Sequence, residues 1–107
     1  MKNKICHITT VHPRTDTRII IKECASLTKF YEVHLIVADG KGDEIKYGVY
    51  IDDIGLRQNS RIKRLKIDAN KAFKKALELN CDVYHFHDPE LTKVGIRLKK
   101  AGKKEVR

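Results

Sequence analysis

The stretch "KICHITTVHPRTDTRIIIKECASLTKFYEVHLIVADG", residues 4–40, decides the predicted fold. It opens with a strand-length run rich in β-branched residues, 4–11, and Pro13 interrupts this run shortly afterwards. Over residues 17–30 the apolar positions recur at spacings of three and four, which is typical of an amphipathic helix. Residues 32–38 are a second, almost continuous apolar run. The stretch therefore predicts a strand–helix–strand unit with two parallel strands.

The rest of the chain extends this unit into a larger sheet. Residues 44–55 predict a β-hairpin that turns near Gly48. A second helix follows over about 67–79, then a third main strand over 82–87, and then another helix that ends near Gly102. This order predicts an α/β protein with an open, mostly parallel sheet, right-handed crossovers and helices on both faces.

Length and composition indicate one globular domain. The chain has 107 residues, of which 41% are hydrophobic and 35% charged, and no apolar run approaches the length of roughly 20 residues that spans a bilayer. A cytoplasmic protein is therefore predicted. Cys6, Cys24 and Cys81 are widely spaced among apolar neighbours, which predicts three buried thiols rather than a metal site. His7 and His34 lie within strands and are predicted to belong to the core.

The net charge of +9 is concentrated in two segments, residues 57–75 and 93–107. Such segments attract phosphorylated ligands, an anionic membrane surface or nucleic acid, although they are also compatible with simple solvated helix faces. Nucleic-acid binding is not expected, because the chain has no Trp and its few Tyr and Phe residues are dispersed. Neither glycine-rich nucleotide fingerprint is present.

Two loops rich in functional groups follow predicted strands. In open α/β sheets, ligands bind beyond the carboxyl ends of the strands, so both loops are expected at one rim. The candidate residues are His12, Arg14, Asp16 and Arg18 in the loop "VHPRTDTR", and His85, His87, Asp88 and Glu90 in the loop "HFHDPEL". Asp16 is also a candidate N-cap of the first helix.

The second loop leaves several interpretations open. His85 and His87 are two residues apart in a strand and point the same way, which suits a metal pair with Asp88 as a third ligand. Further strong ligands at a recognisable spacing are missing, so no metal is predicted. His85 is equally well a structural histidine, whereas His87, nearest the strand end, is the better candidate for chemistry. Asp88 and Glu90 either bind hydroxyl groups or stabilise the start of the next helix.

Four segments resemble a known family: "KICHITTVHPRTDTRIIIKEC" (4–24), "YEVHLIVADG" (31–40), "GVYIDDIGL" (48–56) and "ALELNCDVYHFHDPEL" (76–91). The chain resembles the N-terminal half of retaining, GT-B-type glycosyltransferases, in the large group 1, family 4-like set that includes many bacterial cell-surface polysaccharide enzymes. The resemblance runs through nearly the whole chain. Its specificity comes from the combination of H-P-x-x-D-T-R with D-V-Y-H-x-H-D-P-E.

This resemblance implies a Rossmann-like domain that faces a second such domain across a cleft. The N-terminal domain of the family shapes the acceptor side, and the C-terminal domain holds the nucleotide-sugar, so no cofactor and no metal are expected on this chain. The acceptor is a sugar or a lipid-linked sugar, and many relatives dock on anionic membranes, here the inner membrane face. The residues implied to line the cleft are His12, Pro13, Asp16, Thr17 and Arg18, and those implied near the transferred sugar are His85, His87 and Asp88, with His87 and Asp88 as the catalytic pair.

The sequence also departs from the family pattern. The first loop lacks the paired glycines of many members, and the nucleotide-binding half with its paired glutamates is absent. The chain ends at "KKEVR", residues 103–107, where a further strand is expected to begin. These features predict an incomplete N-terminal half that is inactive alone and that self-associates through an exposed sheet edge. The alternative is a stand-alone α/β binding module for an anionic ligand or a protein partner.

Overall fold

The computed structural model describes residues 3–10, 18–87, 89–103 and 105–106. The strands are β1 (Asn3–Ile8), β2 (Tyr31–Val37), β3 (Glu44–Lys46), β4 (Val49–Asp53), β5 (Val83–Phe86) and β6 (Glu105–Val106). The helices are α1 (Arg18–Leu27), α2 (Arg61–Lys63), α3 (Ala69–Leu79) and α4 (Thr92–Lys100). A π-helical turn, Arg64–Asp68, joins α2 to α3, and a 3-10 turn, Pro89–Leu91, precedes α4.

The six strands form one sheet in the order β3-β4-β2-β1-β5-β6. Only the β3–β4 pair is antiparallel, and the other four neighbouring pairs are parallel. The predicted mostly parallel α/β sheet is therefore confirmed. The parallel strands follow the chain order outward from β1 to β4 on one side, and then from β5 to β6 on the other. The strand order thus reverses between β1 and β5, which is where open α/β sheets form their ligand-binding crevice.

Helix α1 covers one face of the sheet. Cys24 of α1 packs against alternate residues of β2, including Val33 and Leu35, and against Ile51 of β4. Successive side chains of a strand point to opposite faces, so Ile36 of β2 joins the core on the other side. A strand that is buried on both faces needs an unbroken apolar run, which explains why β2 was recognisable in the sequence.

Helices α3 and α4 cover the opposite face. Ala72 and Ala76 of α3 and Leu98 of α4 pack against Ile8 of β1 and Tyr84 of β5. All five of these side chains are fully buried. Helices on both faces were predicted, and this prediction is confirmed.

The helical segment before β5 begins earlier than predicted. The helix predicted over about 67–79 is confirmed as α3, Ala69–Leu79. The helical segment that precedes it, from α2 at Arg61 through the π-helical turn, was not predicted. Ser60 caps α2, since its side-chain oxygen accepts a hydrogen bond from the Lys63 N–H at 3.1 Å. The sequence did not predict α2 because Ile62 faces solvent and its neighbours are mainly basic. The segment therefore lacks the core-facing apolar period that indicates a helix.

Three other predictions concern local structure. The hairpin is confirmed, and its turn residues Tyr47 and Gly48 both have positive φ, 54° and 80°, as the tightest hairpin turns require. The strand expected near the end of the sequence is present, since β6 pairs with β5. The cysteines Cys6, Cys24 and Cys81 are all buried and none of them forms a disulfide, so the three predicted buried thiols are confirmed.

Within the described ranges, no helix has the length and apolar character needed to cross a bilayer.

Candidate functional site

The candidate site lies where β1 and β5 run side by side at the reversal of strand order. His7 of β1 is the register partner of His85 of β5, and Ile8 is the partner of Phe86. The His87 N–H donates to the Ile8 carbonyl at 3.1 Å, so the pairing continues past the end of β5. The sheet therefore positions the His87 backbone beside β1 at its carboxyl edge.

His7, His85 and His87 form a histidine stack on one face of the sheet. The ring centroids of His85 and His87 are 4.6 Å apart, and those of His7 lie 5.2 Å from His85 and 5.1 Å from His87. The three rings are nearly parallel, with interplanar angles of 20° to 22°. The prediction that His85 and His87 point the same way is confirmed. The third ring of the stack was not foreseen.

His7 is buried, as predicted, and it is also bonded to His87. His7 is only 5% exposed, and its Nδ1 lies 2.9 Å from Nε2 of His87. Its Nε2 is buried and has no hydrogen-bond partner among the described residues. Burial, followed by repulsion from His87 and His85, lowers the pKa of His7 from 6.5 to about 4. His7 is therefore neutral at about pH 7.

Glu90 is held by Arg64. Both carboxylate oxygens of Glu90 accept hydrogen bonds from the Arg64 guanidinium, each at 3.2 Å. The same guanidinium donates to the carbonyls of Gln58 and Asn59 at 3.4 Å. This ion pair ties the π-helical turn to the loop after β5. Glu90 was expected to bind substrate, which stays a prediction, and the observed geometry gives its carboxylate a partner within the chain.

The remaining predicted site residues belong to the first loop and to the start of the segment after β5. Helix α1 begins at Arg18, at the carboxyl side of the first loop. The residues that lie outside the described part of the chain are His12, Arg14, Asp16 and Asp88, together with the side chain of Arg18. Their assigned roles, including the capping role of Asp16, stay predictions.

A second polar cluster lies on the opposite face of the sheet. His34 of β2 is the register partner of Tyr50 and stacks on its ring at 5.0 Å. Its ring nitrogens lie 3.2 Å from Asp52 and 2.9 Å from Glu32. Burial lowers the pKa of His34, but the hydrogen bonds to Asp52 and Glu32 raise it and outweigh burial. His34 is therefore a buried structural histidine that hydrogen-bonds Asp52 and Glu32, in keeping with its predicted core position.

The imidazole rings of the histidine stack could in principle bind a metal ion, form hydrogen bonds or exchange protons. Across the described residues, no group of three or more His, Cys, Asp or Glu side chains is arranged to hold a metal ion. A neutral imidazole offers one N–H donor and one acceptor, so His87 can bind or exchange a proton with a ligand hydroxyl at this edge. Alternation along β1 puts His7 on the face opposite to Cys6 and Ile8. Only the register of β1 against β5 shows that this is also the face of His85 and His87.

Comparisons with protein-family models, with curated proteins and with solved structures found no match.

Proposed function

We propose that this chain is the acceptor-side domain of a GT-B-type glycosyltransferase. The observation that carries the proposal is the position of His87, at the carboxyl end of β5 and against β1, where the strand order reverses. The same residue lies in the motif D-V-Y-H-x-H-D-P-E that resembles the family. The substrate class is a nucleotide-sugar donor with a cell-surface polysaccharide or lipid-linked acceptor.

The proposed roles divide between the two rims of the crevice. His87 and Asp88 lie nearest the transferred sugar, and His85 packs behind His87 in the histidine stack. The first loop supplies the opposite rim. A second Rossmann-like domain, on the same or another polypeptide, binds the nucleotide-sugar and stabilises the charge that develops on the departing phosphate. The 107-residue chain alone is therefore expected to be inactive.

The proposal is tested on the native gene product, isolated from its source cells with an antibody raised against this chain. The product is expected to be far heavier than 12.4 kDa, or to co-purify with a second polypeptide, and to transfer sugar from a nucleotide-sugar to a membrane-extract acceptor. His87→Asn should reduce transfer at least about tenfold, equivalent to about 1.4 kcal/mol of transition-state stabilisation. His34→Asn, on the opposite face, serves as the matched control and should leave transfer by the folded protein unchanged.

The opposite result has a definite meaning. A product of 12.4 kDa that binds no second polypeptide, and that transfers sugar from none of the common nucleotide-sugars, contradicts the transferase proposal. The chain is then the stand-alone binding module, with the histidine stack at the edge that meets an anionic ligand or a protein partner.

Residues 56–67, the basic apolar segment, support a further part of the same proposal. Leu56 and Ile62 are 69% and 66% exposed, although large apolar side chains are normally buried. Besides Arg64, which pairs with Glu90, the segment carries the basic residues Arg57, Arg61, Lys63 and Lys66. Apolar side chains among cations suit an anionic lipid surface, where each Lys or Arg contributes about 1 kcal/mol. We propose that this segment docks the protein on the inner membrane face, which brings the site to a lipid-linked acceptor.

Vesicle binding checks this docking surface. The chain is expected to co-sediment with vesicles that contain phosphatidylglycerol, but not with pure phosphatidylcholine vesicles. Ile62→Ser should weaken binding roughly tenfold, because an inserted apolar side chain contributes about 1.5–3 kcal/mol when it is fully buried. Ile45→Ser is the matched control, since Ile45 is 67% exposed on β3, outside the segment. Equal losses in the two variants, or equal binding to both vesicle types, would contradict docking through residues 56–67.

A further inference from the structure

We propose that His7 is a positioning residue that holds His87 in one tautomer, with Nε2 as acceptor and the ring proton on Nδ1. A neutral His87 then donates, rather than accepts, through its other ring nitrogen, Nδ1. The role in sugar transfer rests on the proposed function, whereas the tautomer itself does not.

His7 is uncharged in the folded protein at about pH 7. Its burial and the two neighbouring imidazoles disfavour the charged ring. A neutral imidazole has a single N–H, so one ring nitrogen donates and the other accepts. The 2.9 Å contact between Nδ1 of His7 and Nε2 of His87 requires one proton between the two atoms.

The buried Nε2 of His7 decides which ring supplies that proton. If Nε2 of His7 carried the hydrogen, a buried donor would have no acceptor among the described residues. Leaving a buried donor unsatisfied costs the desolvation of that group, and orphaned N–H donors are rarer in proteins than under-used acceptors. The proton of His7 therefore lies on Nδ1, and Nδ1 donates to His87.

The proton on Nδ1 of His7 also fixes the tautomer of His87. Its Nε2 accepts from His7, so a neutral His87 carries its own proton on Nδ1. The backbone bond from His87 to Ile8 and the stacking of His85 on the same ring restrain where that N–H points. A hydrogen-bond donor fixed in advance suits an oxygen that gains negative charge during transfer, since no reorganisation is then needed.

The test is a long-range proton–nitrogen NMR spectrum of the imidazoles in the nitrogen-15-labelled chain at about pH 7. His87 is expected to show a protonated Nδ1 and an unprotonated Nε2. His7→Phe keeps a stacked ring but removes the donor, so the nitrogen signals of His87 should move towards exchange-averaged positions. His7→Asn places an amide donor near the former Nδ1 and should restore the wild-type pattern. His85→Phe, which alters stacking alone, should leave the pattern of His87 unchanged.

Each other result overturns the inference. A protonated Nε2 on His87 in the wild-type chain would reverse the assigned donor. A His7→Phe variant that remains folded with the wild-type nitrogen shifts would show that His7 does not set the tautomer. In the native transferase, His7→Phe should slow transfer about tenfold, about 1.4 kcal/mol, and His7→Asn should restore it. Confirmed nitrogen shifts without any transferase activity would reject the proposed function and leave the positioning role intact.

Discussion

Replacing Tyr84 by phenylalanine is expected to lower the free energy of unfolding by about 2–3 kcal/mol, which reduces the folding equilibrium constant roughly 30- to 150-fold. The Tyr84 hydroxyl is fully buried between α3 and β5. It donates to the Ala76 carbonyl at 2.7 Å and accepts from the Cys81 N–H at 2.8 Å. Burial raises the pKa of Tyr84 to about 12, so the hydroxyl stays neutral and keeps its proton for Ala76.

Of the two backbone groups that bond the hydroxyl, the Cys81 N–H loses more than the Ala76 carbonyl in this variant. The Ala76 carbonyl also accepts from the Asn80 N–H at 3.2 Å, so it keeps a partner at the left-handed end of α3. The Cys81 N–H loses the hydroxyl, and a buried orphaned donor costs about 1–3 kcal/mol. The loss therefore comes mainly from the turn that connects α3 to β5.

Urea denaturation monitored by circular dichroism measures the effect of Tyr84→Phe. The matched control is Tyr50→Phe, because the Tyr50 side chain is 41% exposed and its ring, which stacks on His34, is retained. Exposed substitutions of this kind stay within about 0.5 kcal/mol. If Tyr84→Phe and Tyr50→Phe had the same free energy of unfolding, a water molecule would be replacing the Tyr84 hydroxyl. That result would contradict tight packing of the turn between α3 and β5.

The strands and helices of the core were predictable because burial imposes a pattern on the sequence. Strand β2 reads as an unbroken apolar run since helices cover both of its faces, and α3 shows alanines at the spacing of one helix face. Helix α2 imposes no such pattern. Its apolar residue Ile62 faces solvent, so the segment shows no core-facing apolar period. The start of α2 is marked only by the cap from Ser60, and a lone serine followed by basic residues is a weak signal of a helix start.

The candidate site was predictable only in part, because its key contacts join residues far apart in sequence. That His85 and His87 share a face follows from strand geometry alone. The bond between His7 and His87 also requires the register of β1 against β5, which no local pattern fixes. The pairing of Arg64 with Glu90 likewise depends on how the π-helical turn packs near the loop after β5. Sequence patterns therefore located the edge of the site and missed the side chains that organise it.

Asp53, the last residue of β4, organises two loops at the same carboxyl edge through its carboxylate. Oδ1 accepts from the N–H groups of Gly40 and Gly55 at 3.1 and 2.9 Å, and Oδ2 accepts from the Gly42 N–H at 2.8 Å. The Asp53 N–H donates in turn to Asp43 at 2.8 Å. The carboxylate thus fastens the loop after β2 to the end of β4.

Asp53→Asn is expected to lower the free energy of unfolding by about 2 kcal/mol. The uncharged amide weakens the hydrogen bonds from the N–H groups of Gly40, Gly42 and Gly55, because it removes the negative charge of their acceptor. One oxygen is also replaced by an NH₂ group, a second donor that cannot bond the backbone N–H it faces. Access of water to Gly40 and Gly42 limits the loss to this value. Asp82→Asn is the matched control, since the exposed Asp82 carboxylate accepts a single N–H, from Lys4 at 2.8 Å, and should lose no more than about 0.5 kcal/mol.

The pH dependence of the Asp53→Asn effect follows from the pKa of Asp53. Burial raises this pKa, but hydrogen bonds from Gly42, Gly55, Gly40 and Asp39 outweigh burial and lower it below 3.8. A carboxyl group whose pKa is lower in the folded state contributes its stability above its unfolded pKa of about 3.9, and loses it as the pH falls through the folded value. The stability difference between wild type and Asp53→Asn should therefore be largest near neutral pH and shrink below about pH 4. Urea unfolding at a series of pH values measures this difference, and one that stays constant on acidification would show that the charge of Asp53 does not fasten the two loops.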